Sequence, residues 1–318
     1  MSGTVYPGFL DAHVHLALID PAPLAAGGIA RVLDLGGPHP PRAVTDAGPL
    51  GPRATRAGQF LTTPGGYPAR QDWTPAGSVC EVARATDAAT AVDRQLEAGA
   101  SVIKVTLNTV AGPALPGDVL AAIVARAHER GVPVIAHAEG AGQARVAFDL
   151  GVDALAHTPF DERLDDDLVG AMAARMTWIS TLDIHGWGRP TGAFARASDN
   201  LRRFHAARGQ VLYGTDLGNG PLPVGLNRRE LDALLACGLS PDELLRTLTA
   251  NSIGRFPGAL PRTGAGHPAM FIPGERPGDT DDFTRWLCTA RVTPAAAAGE
   301  VGHHGSLPNP PFETEEAR

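Results

Sequence analysis

Eight short apolar runs, most followed by a longer stretch with helical spacing, constrain this chain more than any other feature. They lie at 9–16, 30–37, 59–66, 101–108, 133–140, 153–160, 177–184 and 211–218. Each has the length of a buried strand. The intervening helical segments are expected at 79–99, 116–131, 141–151, 165–176, 193–208, 227–238 and 241–255. Gly99 stops the first of them, and Pro116, Asp118 and Gly131 punctuate the second, as helix ends require. Alternating strands and helices predict parallel strands, because a parallel partner needs a crossover connection. Eight such units make a (β/α)8 TIM barrel of the α/β class. An open doubly wound sheet would usually carry a Gly-rich phosphate turn after its first strand. At that position this chain has His13-x-His15 instead.

The polar residues on these strands carry the functional signal. Period-two alternation puts Asp11, His13 and His15 on one face of the first strand. Lys104 lies between Ile103 and Val105. His137, His157 and Asp216 fall near the ends of the fifth, sixth and eighth strands. C-terminal strand ends of a barrel converge on one mouth, so these residues are expected to meet there. Neutral imidazole and carboxylate suit a divalent metal such as zinc. Burial shifts a lysine towards its neutral amine. That amine can add carbon dioxide to give a carbamate, with one oxygen for each of two metals. Taken singly, a strand histidine is an ordinary core residue, Lys104 could snorkel to the surface, and Asp216 could be a turn former. Tyr67, Thr106, Asn108, His185 and Asn219 are candidate substrate contacts at the mouth, and Glu139 serves either the fold or the substrate.

The 318 residues are 43% hydrophobic but 5% aromatic, so small and branched side chains must build the core. The net charge of -7, without a basic block, argues against a nucleic-acid partner. Cys80, Cys237 and Cys288 suggest neither a disulfide framework nor a zinc knuckle. No apolar run reaches the ~18 residues of a membrane span. The N-terminus lacks the features of a signal peptide. The expectation is a cytoplasmic enzyme with a small-molecule substrate, its oligomeric state left open. Three regions are expected: a barrel over 1–258, a short β segment over 259–295 with strands at 266–275 and 285–294, and a mobile tail over 296–318. His303 and His304 in the tail are discounted as ligands.

The ordered stretches "PGFLDAHVHL", "VLDLGG", "TTPGGYP", "SVIKVTLN", "PVIAHAEG", "GVDALAHTPF", "STLDI", "YGTDLGNG" and "GLSPDELLRTLTANSIGRFPG" resemble the metal-dependent amidohydrolase superfamily. The imidazolonepropionase-like and prolidase-like branch is the most similar. The resemblance implies that His13 and His15 hold a buried metal and that carboxylated Lys104 bridges to a second metal on His137 and His157. Asp216 would bind the buried metal and move the proton. It further implies two divalent ions, zinc or else manganese, iron or cobalt, and hydrolysis of an amide, cyclic amide or dipeptide bond by a metal-bridging hydroxide. The rivals are a mononuclear deaminase, a lactonase or esterase on the same core, and a non-catalytic ligand-binding barrel. The chain departs from the family pattern where Met270 and Phe271 replace an Asp-Leu pair and where Ser252 and Ile253 stand in place of the usual small residues after Asn251 of the last helix. The first barrel strand starts so early that the N-terminal half of the family's β-sandwich is expected to be absent.

Overall fold

The computed structural model describes residues 2–39, 50–264 and 266–294. The tail expected at 296–318, with His303 and His304, lies outside the described residues. After β1 (Gly3–Pro7) come β2 (Leu10–Val14), β3 (Arg31–Asp34), β4 (Arg53–Arg56), β5 (Phe60–Thr62) and β6 (Val79–Glu81). Strict alternation then begins with α1 (Ala88–Glu97), β7 (Ile103–Asn108), α2 (Gly117–Glu129), β8 (Val134–Glu139) and α3 (Gln143–Asp149). It continues with β9 (Ala154–Leu155), α4 (Asp166–Ala173), β10 (Thr177–Ile179), α5 (Gly192–Ala206) and β11 (Gln210–Leu212). Two helices follow, α6 (Arg228–Ala236) and α7 (Pro241–Thr249), and then β12 (Ala269–Pro273), α8 (Thr280–Leu287) and β13 (Arg291–Thr293).

The result is a TIM-barrel-like α/β fold. β11, β10, β9, β8, β7, β5 and β6 form a seven-stranded parallel sheet in that order, and β2, β3 and β4 form a second parallel sheet. Backbone hydrogen bonds join the two sheets on both flanks. Ser101 N donates to Arg56 O, and Gly37 N to Gly58 O, each at 2.9 Å. On the other flank Ala12 N donates to Tyr213 O at 2.9 Å, and Val14 bridges Leu217 in parallel.

Alternation along the strands sorts the apolar side chains into two layers. Val105, Leu107, Val134, Ala136 and Trp178 face the helices. Leu10, Leu33, Val102, Ile135, Ala154, Ile179 and Leu212 pack into a second cluster, joined by Ile253, Phe256 and Leu260 after α7. The helices end as the sequence indicates. Gly99 and Gly131 take φ of +87° and +72°, a region that glycine enters without steric cost. Ser240 and Glu243 close a capping box at the start of α7.

Several expectations are corrected. Val79–Glu81 pairs with β5, so the helix expected at 79–99 begins only at Ala88. The helix expected to reach residue 255 stops at Thr249. In the strand expected at 285–294, Thr280–Leu287 is helical because the Asp279 side chain accepts from the amides of Asp281 and Asp282, and Arg291–Thr293 alone is extended. An N-terminal strand does precede the barrel strands. β1 pairs antiparallel with β12, which pairs with β13, and Val5 and Tyr6 are thereby buried.

Arg31 fastens β3 to the segment after α7. Its guanidinium is buried, has no carboxylate partner among the described residues, and donates to the carbonyls of Gly8 (2.7 Å), Ala250 (2.9 Å) and Pro261 (3.0 Å). Carbonyls at the end of a helix carry partial negative charge, which offsets part of the desolvation cost of the cation. Arg31→Met should therefore lower unfolding free energy in urea by roughly 2–4 kcal/mol, because buried acceptors lose their donor. Stability within the error of the parent would show that the guanidinium is dispensable.

Candidate active site

The ends of β2, β8 and β9, the start of β7 and the segment after β11 bring His13, His15, Lys104, His137, His157 and Asp216 to the wall of one cavity of about 440 Å³. Parity accounts for most of this. Val102 lies in the inner apolar cluster and Lys104 is two residues further along; Ile135 precedes His137 in the same way, and Leu212 precedes Asp216 by four residues. On β2 the alternation breaks. Leu10 and Ala12 both join the inner cluster, and the ladder is irregular between Asp11 and Val14. That irregularity turns His13 and His15 into the cavity. It also corrects the expectation that Asp11 shares their face. The Asp11 carboxyl accepts from the Thr215 amide and hydroxyl and from the His13 amide, tying β2 to the segment that carries Asp216.

Tautomers on β2 follow from the partners. His13 Nδ1 lies 2.8 Å from Ala156 O, and His15 Nδ1 lies 3.1 Å from Gly36 O. A carbonyl only accepts, so each Nδ1 carries a proton, and in the neutral ring the lone pair is on Nε2. Both lone pairs meet the same atom: Asp216 Oδ1 is 3.0 Å from His13 Nε2 and 3.2 Å from His15 Nε2. His13 Nε2 is buried without a hydrogen bond. Three electron-rich atoms this close call for a cation among them. Donor atoms of His13, His157 and Asp216 all lie within 4.8 Å of one another, a spacing that suits a divalent ion.

Burial pushes His13 and His157 well below the usual imidazole range, so both rings are neutral donors. Asn219 donates to Asp216 Oδ2 at 2.8 Å, and Asp216 sits at φ +58°, a conformation uncommon for a non-glycine residue. Lys104 is buried, and its amine is pushed down to about 7 by desolvation. No carboxylate of the described residues lies within ion-pairing distance of it. His137 Nε2 is 3.1 Å from Glu139 Oε2, and its ring stacks on Tyr67 at 4.8 Å. His157 Nδ1 is 2.9 Å from the Thr181 hydroxyl.

Tyr67, His185 and Asn219 line the cavity, whereas Thr106 and Asn108 do not. Thr106 donates its hydroxyl to Tyr67 O, and Asn108 bonds Glu139 and the amides of Val110 and Ala111. Both therefore shape loops. Glu139 is on the cavity wall. The sequence reading missed Phe60, Trp73, Phe160 and Trp187, which also line it. Their one visible signal is position, since in an aromatic-poor chain Phe60 lies on β5 and the other three lie in the connections that follow strands. Also missed was the support behind His185. Buried Asp183 pairs with Arg229 at 2.8 Å, accepts from Asn227 at 2.7 Å, and gives its amide to Glu230 Oε2 at 2.7 Å. This fixes the turn that carries Ile184 and His185.

Fold and site together define a barrel-like α/β protein with a cluster of metal-donor side chains, most of them at or beyond the C-terminal ends of its strands and Lys104 deeper, near the start of β7. Residues 4–253 match the amidohydrolase family, and the chain belongs to that family. It is thus an enzyme acting on carbon–nitrogen bonds, in a family that generally binds divalent metals. An uncharacterised protein of Mycobacterium tuberculosis is 27% identical over 277 residues, covering 76% of this chain and 72% of that protein. A Xaa-Pro dipeptidase with bound methionine superposes with a TM-score of 0.71 at 19% identity, covering 92% of this chain and 86% of the other. Ochratoxinase of A. niger gives 0.72 at 19% identity, with coverage of 92% and 82%. Molinate hydrolase gives 0.67 at 14% identity, with coverage of 99% and 87%. These similarities concern the fold. Among the described residues no helix is long and apolar enough to cross a membrane.

The Asp183 support carries a pH signature. Burial pushes the Glu230 carboxyl up to about 7, and its Oε1 has no partner among the described residues. Between about 4.5 and about 7 the folded state holds a proton there that the unfolded state releases. This contribution to stability is complete below the unfolded value and is lost as pH rises through the folded one. Glu230→Gln should therefore gain stability relative to the parent by on the order of 1–3 kcal/mol between pH 5 and pH 8 in urea melts. A constant difference across that range would show that Glu230 keeps an ordinary carboxyl.

Proposed function

We propose that the chain is a binuclear metal-dependent hydrolase that cleaves an amide, cyclic amide or dipeptide C–N bond. The observation that carries this is the meeting of His13 and His15 Nε2 at Asp216 Oδ1, in one cavity with a buried lysine that has no ion-pair partner among the described residues. His13, His15 and Asp216 would hold one divalent ion and His137 and His157 the second. Lys104, carboxylated by CO2, would bridge them; its lowered amine is the form that reacts. Zinc suits this donor set, with manganese, iron or cobalt as alternatives. When bound, the ions would supply Lewis-acid polarisation of the scissile carbonyl and a water acidified to near neutrality.

The residues supply the rest. Asp216 accepts the proton of the attacking water and returns it to the leaving nitrogen, with Asn219 holding its other oxygen in place. His185 is positioned by the Asp183 network to meet the substrate across the cavity, and Tyr67 closes the side over His137. We read the bonded sheets as a closed (β/α)8 ring over residues 1–258. In this reading residues 259–295 form a short segment whose strands share a small sheet with β1. A mononuclear site would leave Lys104 without a role.

Three perturbations test this. Chelation should abolish hydrolysis of a panel of N-acyl amino acids, dipeptides and cyclic imides, and zinc or manganese should restore it. Asp216→Asn should lower kcat by about 10²–10⁴-fold, the range for losing a general base. Lys104→Met should retain at most one ion per chain by elemental analysis. Full activity of Asp216→Asn, or two ions retained by Lys104→Met, would overturn the assignment.

A further inference from the structure

Beyond the donor cluster, the cavity wall is largely aromatic and apolar. Phe60, Tyr67 and Trp73 form one connected group, with Trp73 6.4 Å from Phe60 and 6.0 Å from Tyr67 between ring centroids. Phe160, Ile184 and Trp187 form a second, borne by the segments after β9 and β10. Phe160 packs on His185 at 4.2 Å. Trp187 lies over Gly220, where a Cβ would come within 2.9 Å of the indole. β7 and β8 stand between β5 and β9, so the two groups occupy separate arcs of the mouth. Trp73 and Trp187 line the cavity and are 40% and 44% exposed, so each indole keeps surface that a ligand could cover.

The charges around the wall are one-sided. Among the described residues lining the cavity there is no arginine, and the one lysine is Lys104 on the ligand cluster. The nearby Arg229 is engaged by Asp183 and Arg196 by the Phe160 carbonyl. Glu139 adds a carboxylate beside the aromatic groups. A substrate's free carboxylate would lose its hydration against this wall and meet no arginine among the described residues that line it. A neutral ring would lose little and gain contact with two indoles.

Resting on the hydrolase reading above, we infer that the preferred substrates are neutral amides bearing an aromatic or bulky apolar ring, and not dipeptides with a free carboxylate. The ring lies between Trp73 and Trp187, and the scissile bond points down to Asp216. The cavity volume accommodates a one- or two-ring group.

Calorimetric binding to the enzyme as purified with its metals tests this independently of turnover. The probes are 4-phenylbutan-2-one, a ketone with a methylene where N-benzylacetamide has its NH, and 4-(3-oxobutyl)benzoate, its carboxylated counterpart. The neutral ketone should bind at least about tenfold more tightly, a difference of ~1.4 kcal/mol. Trp73→Ala and Trp187→Ala should each weaken it by about three- to tenfold while leaving the carboxylate little affected. Equal or tighter binding of the carboxylate, no binding of either probe, or unaltered affinity in both variants would overturn the inference. Failure to hydrolyse N-benzylacetamide with ketone binding intact would instead contradict the hydrolase reading.

Discussion

Two imidazole lone pairs and a carboxylate oxygen converge within 3.2 Å at the end of β2, and the rest of the site is arranged to keep them there. With both rings neutral and no cation among them this contact is repulsive, and the bonds around it hold the three groups in place. His13 is held by Ala156 on the far side of the ring, His15 by Gly36, and the Asp216 segment by the grip of Asp11 on Thr215. Backbone and side-chain bonds from four different strand segments thus fix the donors before any ion arrives. Such preorganisation lets metal affinity draw on folding free energy.

Stability and chemistry are divided along the strand axis. The lower end is filled by the inner apolar cluster and closed by the segment after α7, which Arg31 fastens through carbonyls. The upper end accepts the costs of function, including a buried amine, neutral histidines, and left-handed backbone at Thr181 and Asp216. Thr181 also receives the His157 ring, so backbone strain and ligand orientation coincide at one residue.

Much of this was legible in the sequence. Parallel strands separated by helices follow from the apolar runs, and the six polar residues that share one cavity stand out as polar side chains on or just after those strands. Lys104 was the most informative, because a lysine flanked by Ile103 and Val105 is costly unless used. Asp11 shows where pattern reading fails. Alternation predicted a shared face with His13, but the ladder irregularity on β2 reversed it, and such irregularities leave no periodic trace. The short strand β6 was absorbed into a helix because Val79 and Cys80 fit either period. The aromatic walls and the Asp183–Arg229 support depend on loop conformation, which has no period to read.

Anomalous X-ray diffraction from crystals grown at neutral pH tests the central claim most directly. The account predicts two metal peaks, one against His13, His15 and Asp216 and one against His137 and His157, with density for a carbamate extending from Lys104 between them. A single peak beside an unmodified Lys104, or a Lys104 side chain turned away from the cavity, would contradict it.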